Sequence, residues 1–428
     1  MKKRILCLGL SVLLLIMGSS SQAMATEVSY TYKVPVSTVK VLVDHNGYSV
    51  DADKYVYFLG VEHSESFRVI EKDTWKTVYT GEIEKERYDK ESGYYVSVGE
   101  FSEVVEPGTY FIETDIIGRS YSFEIAEEPM QKTFQSLLGA MGSIDYEETP
   151  KGVIDACFNM QALFMALHQH GATFEKDNDL ITQLLKVAEW MTAIQDADTG
   201  SIYEDYEATA AFCGIMAVCA DRFGKYEDGL AAEYTTAYKK AWKCLASWNK
   251  AAGQETYPEA YFYVNTQLYR YHQNKTYQTA IHTYLKNRKD SITDDRFSFY
   301  GAVAYLETEK GTDRDLCSGL MQELVEEAEK ISEASKADTF LVYAEDIALD
   351  LEKALIIGLV DYITPSKEYE VILENMIHYI LGSNESGKCY LTSDGQWELT
   401  DKAESWTAEW NGILLFCLSN LLDKESNN

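Results

Sequence analysis

Proline and basic residues are scarce in this sequence. Its 428 residues include only 6 prolines, and 38 lysines and arginines stand against 69 aspartates and glutamates, a formal net charge of -31. Because hydrophobic residues make up 46%, the chain is neither a disordered tail nor a linker-rich protein, and we expect two or three compact domains. The excess of acidic residues argues against partners that present phosphates, which excludes nucleic acids and anionic lipid surfaces as expected ligands.

Metal-binding motifs are also missing. The sequence has no Cys-x-x-Cys pair and its 7 histidines are scattered, so nothing in it predicts a zinc site. Seven cysteines follow residue 25, an odd number, and most of them have apolar neighbours. We interpret them as small buried hydrophobic residues, with a disulfide framework as the alternative. We expect no cofactor, and a bound Ca²⁺ ion has no support from a calcium-loop spacing.

The N-terminus has the pattern of a secretory signal peptide. Three basic residues follow Met1, residues 5–18 are apolar, and the segment ends on Ala23-Met24-Ala25. We assign residues 1–25 to this signal peptide. No later stretch of the sequence is apolar enough to span a bilayer. The sequence therefore predicts a secreted bacterial protein, extracellular or associated with the cell surface, without membrane insertion.

The remaining chain has two parts with different hydrophobic periods. Over residues 26–128, short runs alternate apolar and polar residues between turn signals such as Asn46-Gly47 and Pro107-Gly108. About seven such strands predict an antiparallel β-sandwich. Over residues 129–428 the period is helical, with twelve segments that start near residues 130, 152, 177, 204, 229, 256, 275, 293, 312, 345, 366 and 402. Twelve helices suggest six hairpins closed into an (α/α)6 toroid, although a helical solenoid fits the periodicity equally well.

Two passages of the first part resemble the N-terminal Ig-like domain of cellulases. Residues 41–48, followed by Asp53-Lys54, resemble its opening "V-N-Q-x-G-Y … K". Residues 101–123 resemble its closing strands "F-S … PGTY … G-x-S-x-x-F". In that family the Ig-like module directly precedes the catalytic barrel of glycoside hydrolase family nine. The resemblance therefore implies an Ig-like sandwich over residues 26–128 and an (α/α)6 barrel over residues 129–428.

The helical part resembles family nine in the same order along the chain. Residues 198–203 resemble "D-G-G-x-Y", residues 207–212 resemble "A-T-A-x-x-A-A", and residues 379–392 resemble "Y-I-L-G-x-N-P … S-Y-V-T-G". The family's sugar-binding "P-H-H-R" segment should follow, but the sequence contains no histidine after His378. The part after Pro129 is also shorter than the usual family-nine barrel, so we expect fewer or differently built substrate subsites.

The catalytic base of the family is only partly present. Inverting glycosidases need a carboxylic acid and, about 6.5–9.5 Å away, a carboxylate that deprotonates a water molecule. The family's base segment is an Asp-Ala-Gly-Asp turn, and residues 152–158 are similar to it. Asp155 keeps the first aspartate, but Phe158 stands where the family has its principal base. Asp155 either holds the water alone or is a helix residue without chemistry.

The catalytic acid of the family is displaced. Its motif "N-E-x-A … W-N" resembles residues 403–411, and an alignment on Trp410-Asn411 puts Ser405 at the acid position and Glu404 one residue early. One residue turns a helix by about 100°, so Glu404 reaches the acid position only if the helix start is irregular. Trp406 beside it offers the apolar surface that raises the pKa of an acid. The alternative is a solvated capping glutamate.

Aromatic residues near predicted helix ends are the candidates for sugar binding, because flat rings stack on pyranose faces. Tyrosines at helical spacing are also common in protein cores, so both interpretations stay open. An acidic connector of five carboxylates between residues 196 and 207 offers a substitute carboxylate or a solvated surface. The predicted substrate-binding residues are Tyr203, Tyr206, Tyr257, Tyr261, Trp397 and Trp406.

Three functions are compatible with this sequence. The first is a secreted family-nine-like hydrolase of β-1,4-glucan-type polysaccharide that works by inversion with Asp155 and Glu404. The second is a non-catalytic carbohydrate-binding or scaffold relative, a pseudoenzyme that has lost the base. The third is a hydrolase or lyase of another polysaccharide, because one fold hosts several sugar chemistries. In each case we expect a monomer whose partner is a polysaccharide or an oligosaccharide.

Overall fold

Ten strands precede twelve helices in the computed structural model, which describes residues 39–61, 64–90, 92–174, 179–224, 229–252, 256–343, 346–393, 395, 397 and 407–427. Residues 39–428 form one compact unit. The predicted signal peptide lies outside the described residues, as do Glu404 and Trp406. Among the described residues, no helix combines the length and the apolar character that a bilayer span requires.

The strands build two sheets that pack into a sandwich. Strands β1, β3, β7 and β6 form one sheet in that order, and β2, β10, β8, β4 and β5 form the other, with β9 added beside β8. All pairs are antiparallel except β10 with β2. The strands are β1 (Val41–Leu42), β2 (Tyr48–Ser49), β3 (Tyr55–Leu59), β4 (Ser66–Glu71), β5 (Thr77–Glu82), β6 (Arg87–Tyr88), β7 (Tyr95–Glu100), β8 (Gly108–Thr114), β9 (Gly118–Arg119) and β10 (Phe123–Ala126).

Strand β3 shows why this sheet is buried on both faces. Successive side chains of a strand point to opposite faces. Val56 and Phe58 therefore join the core between the sheets, whereas Tyr57 and Leu59 join the core of the helical part. The first sheet thus packs its outer face against the helices.

Six inner helices follow one another around a ring, with six outer helices around them. Helix α2 packs against α4, α4 against α6, α6 against α8, α10 against α12, and α12 returns to α2. Helices α8 and α10 complete the ring by facing each other across a pocket that both line. The helices are α1 (Met130–Ala140), α2 (Pro150–Gln169), α3 (Asp179–Ala193), α4 (Tyr206–Phe223), α5 (Leu230–Ala252), α6 (Pro258–His272), α7 (Lys275–Asn287), α8 (Arg296–Leu306), α9 (Arg314–Ala337), α10 (Ile347–Ile363), α11 (Lys367–Ile380) and α12 (Glu409–Asn427). This closure distinguishes the toroid from a solenoid, and the predicted fold class is confirmed.

Burial separates the inner from the outer helices. In α8 all residues from 297 to 305 are buried, as expected for a helix with neighbours on every side. In α9 the buried side chains form one stripe, which includes Leu320, Leu324, Ala328 and Ile331. Helix α9 is therefore amphipathic and covers the inner ring with one face, whereas residues 372–380 of α11 are all buried because this helix also packs against the sandwich.

The described cysteines carry free thiols. Five of the seven are buried, and Cys317 and Cys389 are partly exposed. Burial raises the pKa of the Cys213 and Cys219 thiols, because a thiolate is poorly solvated in an apolar core. These residues therefore pack as small apolar side chains, as the sequence predicts.

Candidate functional site

The first residues of the inner helices meet at one mouth of the toroid. Side chains at the helix N-termini cap several of these starts by accepting a hydrogen bond from a backbone N–H in the first turn. Thr149 accepts from Gly152 at 3.1 Å ahead of α2, and Asp295 accepts from Ser298 at 3.0 Å ahead of α8. Asp205 caps α4 in the same way. Short polar residues thus fix where each inner helix begins and which side chains face the mouth.

Asp155 lies in the second turn of α2 and is 5% exposed. Its Oδ1 accepts a hydrogen bond from Arg296 Nη1 at 3.0 Å, and its Oδ2 accepts one from Lys151 Nζ at 2.6 Å. The two cations differ in burial, since the Lys151 side chain is 61% exposed and that of Arg296 is 37% exposed. Asp155 is therefore a carboxylate with one firmly held oxygen and one oxygen toward a solvent-facing lysine.

A second buried carboxyl group, which sequence reasoning did not single out, binds the same arginine. Glu409 is the first residue of α12, and its Oε2 accepts a hydrogen bond from Arg296 Nη1 at 2.9 Å. Tyr300 donates its hydroxyl hydrogen to Oε1 of the same group at 3.2 Å. Burial raises the pKa of Glu409, and Arg296 opposes part of this rise.

Arg296 bridges the two carboxyl groups through a single nitrogen atom. Burial disfavours its charge, but Glu409 and Asp155 outweigh this and raise the pKa of the guanidinium. Because both bonds share Nη1, the bonded oxygens of Asp155 and Glu409 are at most about 5.9 Å apart. One guanidinium nitrogen therefore holds the two carboxyl groups side by side.

Phe158 is fully buried beneath this bridge. Its ring is stacked on that of Tyr300, with centroids 5.0 Å apart and planes within 12°, and meets Phe297 edge to face at 4.9 Å. The guanidinium carbon of Arg296 lies 5.1 Å from the centre of the Phe158 ring, within cation–π range. The position that holds a base in family nine is therefore part of an aromatic cluster here.

Two predicted sugar-binding residues form a pair at the mouth. Tyr206, the first residue of α4, is stacked on Tyr257 with centroids 4.8 Å apart and planes within 21°. Tyr257 is 40% exposed, as is Tyr203. The rings of Tyr257 and Tyr203 are thus accessible to solvent, whereas Tyr206 is buried behind Tyr257.

The other described aromatic candidates lie against protein groups. Tyr261 is stacked on Trp242 of α5, with centroids 5.5 Å apart. Trp397 donates its indole hydrogen to Asn411 Oδ1 at 2.6 Å and meets Trp410 edge to face. Trp397 therefore packs against the first turn of α12.

Two adjoining depressions cover the mouth. A pocket of about 280 Å³ is lined by Arg296 and Glu409, and a groove of about 580 Å³ is lined by Glu207 and Tyr257. Asp295 lines both, so the two form one acidic cleft across the starts of the inner helices. Burial, with help from nearby carboxylates, raises the pKa of Glu207.

The acidic connector contributes one residue to this cleft, Glu207. Asp196, in contrast, accepts hydrogen bonds from the backbone N–H and hydroxyl of Thr199, each at 2.7 Å, and so closes its own turn. Within the described ranges no group of three or more His, Cys, Asp or Glu side chains is arranged to hold a metal ion. The expectation that the protein needs no cofactor stays a prediction.

Comparisons with known proteins agree with this architecture. Residues 37–119 match the family model of the cellulase N-terminal Ig-like domain, which confirms the resemblance of the sandwich. A search of curated proteins gives no match.

The solved structures that match are endoglucanases and relatives of glycoside hydrolase family nine. A metagenome-derived glycoside hydrolase family 9 endoglucanase matches with a TM-score of 0.77 at 14% identity, covering 89% of this chain and 98% of its own. AaCel9A in complex with cellobiose-like isofagomine matches with 0.74 at 14% identity, covering 90% and 99%. A family 9 protein of Bacteroides ovatus matches with 0.72 at 14% identity and the same coverage. The chain therefore has the cellulase-like fold of these enzymes, sandwich and toroid together.

Proposed function

We propose that this protein is a secreted glycoside hydrolase that acts on β-1,4-glucan-type polysaccharide and inverts the anomeric carbon. The observation that carries the proposal is Asp155, a buried carboxylate at the acidic mouth of a toroid with the family-nine fold. One protein with this fold has a cellobiose-like ligand bound. We propose that residues 1–25 direct the chain out of the cell and that the protein acts as a monomer.

Asp155 is our candidate for the general base. Arg296 holds Oδ1, whereas Oδ2 is bound only by the exposed Lys151 among the contacts of the described residues. The Lys151 side chain is 61% exposed, so its ammonium can move into solvent and a water molecule can take its place at Oδ2. Oδ2 then accepts a proton from this water as it attacks the sugar.

We propose that the general acid is a carboxyl group other than Glu409. Both oxygens of Glu409 are bonded within the protein, Oε2 to Arg296 and Oε1 to Tyr300. We therefore keep Glu404 as the proposed acid, on the resemblance of its segment to the family's acid helix. Exposed rings, Tyr257 and Tyr203 above all, are proposed to stack on the sugar chain.

The test measures the release of reducing ends from soluble β-glucans, xylan and mannan by the chain from residue 26 onward. We expect Asp155→Asn and Glu404→Gln each to lower kcat at least about 100-fold, because each removes a proton-transfer group. Asp196→Asn is the control, since Asp196 only closes its own turn. Inversion is read from the anomer of the first product by NMR. Full activity of Asp155→Asn would remove this residue from the mechanism.

One observation favours a second function, a non-catalytic glucan-binding protein. Phe158 occupies the family's base position and is packed inside an aromatic cluster. A binding protein would be retarded in a gel that contains soluble β-glucan without shortening its chains. No release of reducing ends by the wild type or by Phe158→Asp, with this retardation intact, would establish the second function instead of the first.

A further inference from the structure

Arg296 and three side chains around it form a closed unit. We call these four residues, Phe158, Arg296, Tyr300 and Glu409, the Arg296 cluster. Arg296 lies over the ring of Phe158 and bonds to Glu409. Tyr300 is stacked on Phe158 and donates its hydroxyl hydrogen to Glu409. Each member thus contacts at least two others, and the guanidinium is held from below by a ring and from the side by a carboxyl group.

The Arg296 cluster places the positive charge of its guanidinium next to Asp155. Among the described residues, the cations bonded to Asp155 are Arg296 and Lys151, and of these only Arg296 is itself held in place. A carboxylate with one bonded oxygen can no longer turn about its terminal torsion without breaking that bond. Arg296 therefore decides in which direction Oδ2 of Asp155 points.

We propose that Arg296 is the positioning residue for the base Asp155 and that the Arg296 cluster replaces the missing aspartate at position 158. This inference rests on the proposed function. A second aspartate at position 158 would be expected to share the water with Asp155. In this chain a flat ring at the same position instead supports a guanidinium, and that guanidinium aims the remaining aspartate. Phe158 is then a supporting part of the site and not a relic.

The test compares kcat and KM of Arg296→Gln with those of the wild type. We expect kcat to fall about 100-fold, the cost of a misdirected catalytic group, with KM changed less than about threefold. Arg296→Lys keeps the charge without the planar fork, and should recover about tenfold of the lost kcat.

Arg270→Gln is the matched control. Arg270 bonds to Glu307 at 2.7 Å, and these two side chains are buried to the same degree as each other. The pair lies at the C-terminal ends of α6 and α8, whereas Arg296 lies at the N-terminal end of α8. We expect this variant to lose stability, with kcat of the folded protein changed less than about threefold. Equal loss of kcat in Arg296→Gln and Arg270→Gln, with no recovery in Arg296→Lys, would show a structural role only and overturn the inference.

The outcome also separates the inference from the proposed function. An inactive wild type refutes the proposed function and the base role of Asp155 together. An active wild type with unchanged kinetics in Arg296→Gln refutes the inference alone. Crystal structures of the wild type and the variant at one pH supply a readout without turnover, since a turned Asp155 carboxylate in the variant supports the inference and an unmoved one contradicts it. If Arg296→Gln fails to fold, Arg296→Lys takes its place in each measurement.

Discussion

The carboxyl group of Glu374 is buried in α11 on the side of the sandwich. It is 8% exposed, and its Oε2 has no hydrogen-bond partner among the described residues. The titratable groups near it are His378, Lys367 and Glu370 on the same helix and Asp53 and Lys54 in the sandwich. Burial raises the pKa of Glu374 to about 7, because these partners do not replace the water that an exposed carboxylate binds.

This single residue should make the whole protein less stable as pH rises. The unfolded chain releases the Glu374 proton near pH 4.5 and the folded chain near pH 7. Between these values the folded state binds more protons, so the free energy of unfolding decreases by about 3 kcal/mol as pH rises and is constant above. We expect Glu374→Gln to remove this decrease, measured by urea unfolding between about pH 4 and pH 8.

The exposed Glu329 of α9 provides the control, since Glu329→Gln should leave the wild-type pH dependence unchanged. The quantity compared is the difference in the free energy of unfolding between wild type and Glu374→Gln at each pH. A difference that stays constant from acidic to neutral pH would mean that the pKa of Glu374 is the same in the folded and the unfolded protein, and would contradict the prediction.

At the residue scale the sequence identifies some members of the site and misses others. Asp155 and Phe158 are recognisable because they lie in one short segment that resembles a family motif. Arg296 and Glu409 are not, because their contacts with each other and with Asp155 span more than a hundred residues. No local pattern distinguishes these two from the many charged residues at other helix starts. Only the closure of the ring brings them together.

At the element scale, capping residues made the helices predictable. The predicted starts near residues 130 and 275 coincide with Met130 of α1 and Lys275 of α7, and most others lie within about three residues. Short polar residues before apolar stripes produce this accuracy. Strand β5 lacks such a signal, because most of its side chains are exposed at the edge of its sheet. The start of α12 at Glu409 also differs from the prediction near 402, and residues 401–406 lie outside the described ranges.

Gly152 shows how an element is placed by close contact rather than by helix propensity. A Cβ atom at this position of α2 would lie 2.2 Å from the backbone oxygen of Glu147. We expect Gly152→Ala to destabilise the protein by about 1–3 kcal/mol, the usual cost of overpacking, although alanine is the better helix former. Since α2 carries Asp155, a shifted helix should also lower kcat. Urea unfolding and the reducing-end assay measure both effects.

Gly319 of α9 is the matched comparison. A Cβ atom there would meet nothing within 4 Å, and the residue is exposed inside a helix. Gly319→Ala should therefore stabilise the protein by about 1 kcal/mol. If both alanines stabilise equally, the chain near Glu147 adapts to a side chain and the tight contact does not position α2.

On the scale of the whole molecule, the sandwich and the toroid share their interior. Tyr57 of β3 donates its hydroxyl hydrogen to Phe340 O at 2.9 Å, and the backbone N–H of His45 donates to Leu381 O at 3.0 Å. Asp44 Oδ2 lies 2.6 Å from His378 Nδ1, both fully or almost fully buried. These contacts connect parts of the chain more than 280 residues apart, so no sequence pattern announces them.

Such an interface predicts that both parts unfold together. Asp44 lies in the sandwich and also accepts hydrogen bonds from the backbone N–H groups of Asn46 and Gly47. Asp44→Ala leaves these donors and His378 without their acceptor, and we expect it to lower the free energy of unfolding by about 3 kcal/mol. The decisive measurement is helix unfolding in urea, followed by far-ultraviolet circular dichroism, since all described helices of four turns or more lie in the toroid.

The control for this prediction is Glu113→Ala, which removes partly exposed ion pairs with Arg68 and Arg119 on the other sheet and should leave the helical transition in place. If Asp44→Ala also left it in place and a separate strand transition appeared, the sandwich would be an independent module. A single helical transition that moves to lower urea would instead mean that the sandwich stabilises α11 and the ring of inner helices, because a substitution outside the toroid then destabilises all its helices at once. The geometry of the mouth, including the hold of Arg296 on Asp155, then depends on an intact sandwich, and Asp44→Ala should inactivate the protein in the same range of urea in which its helices unfold.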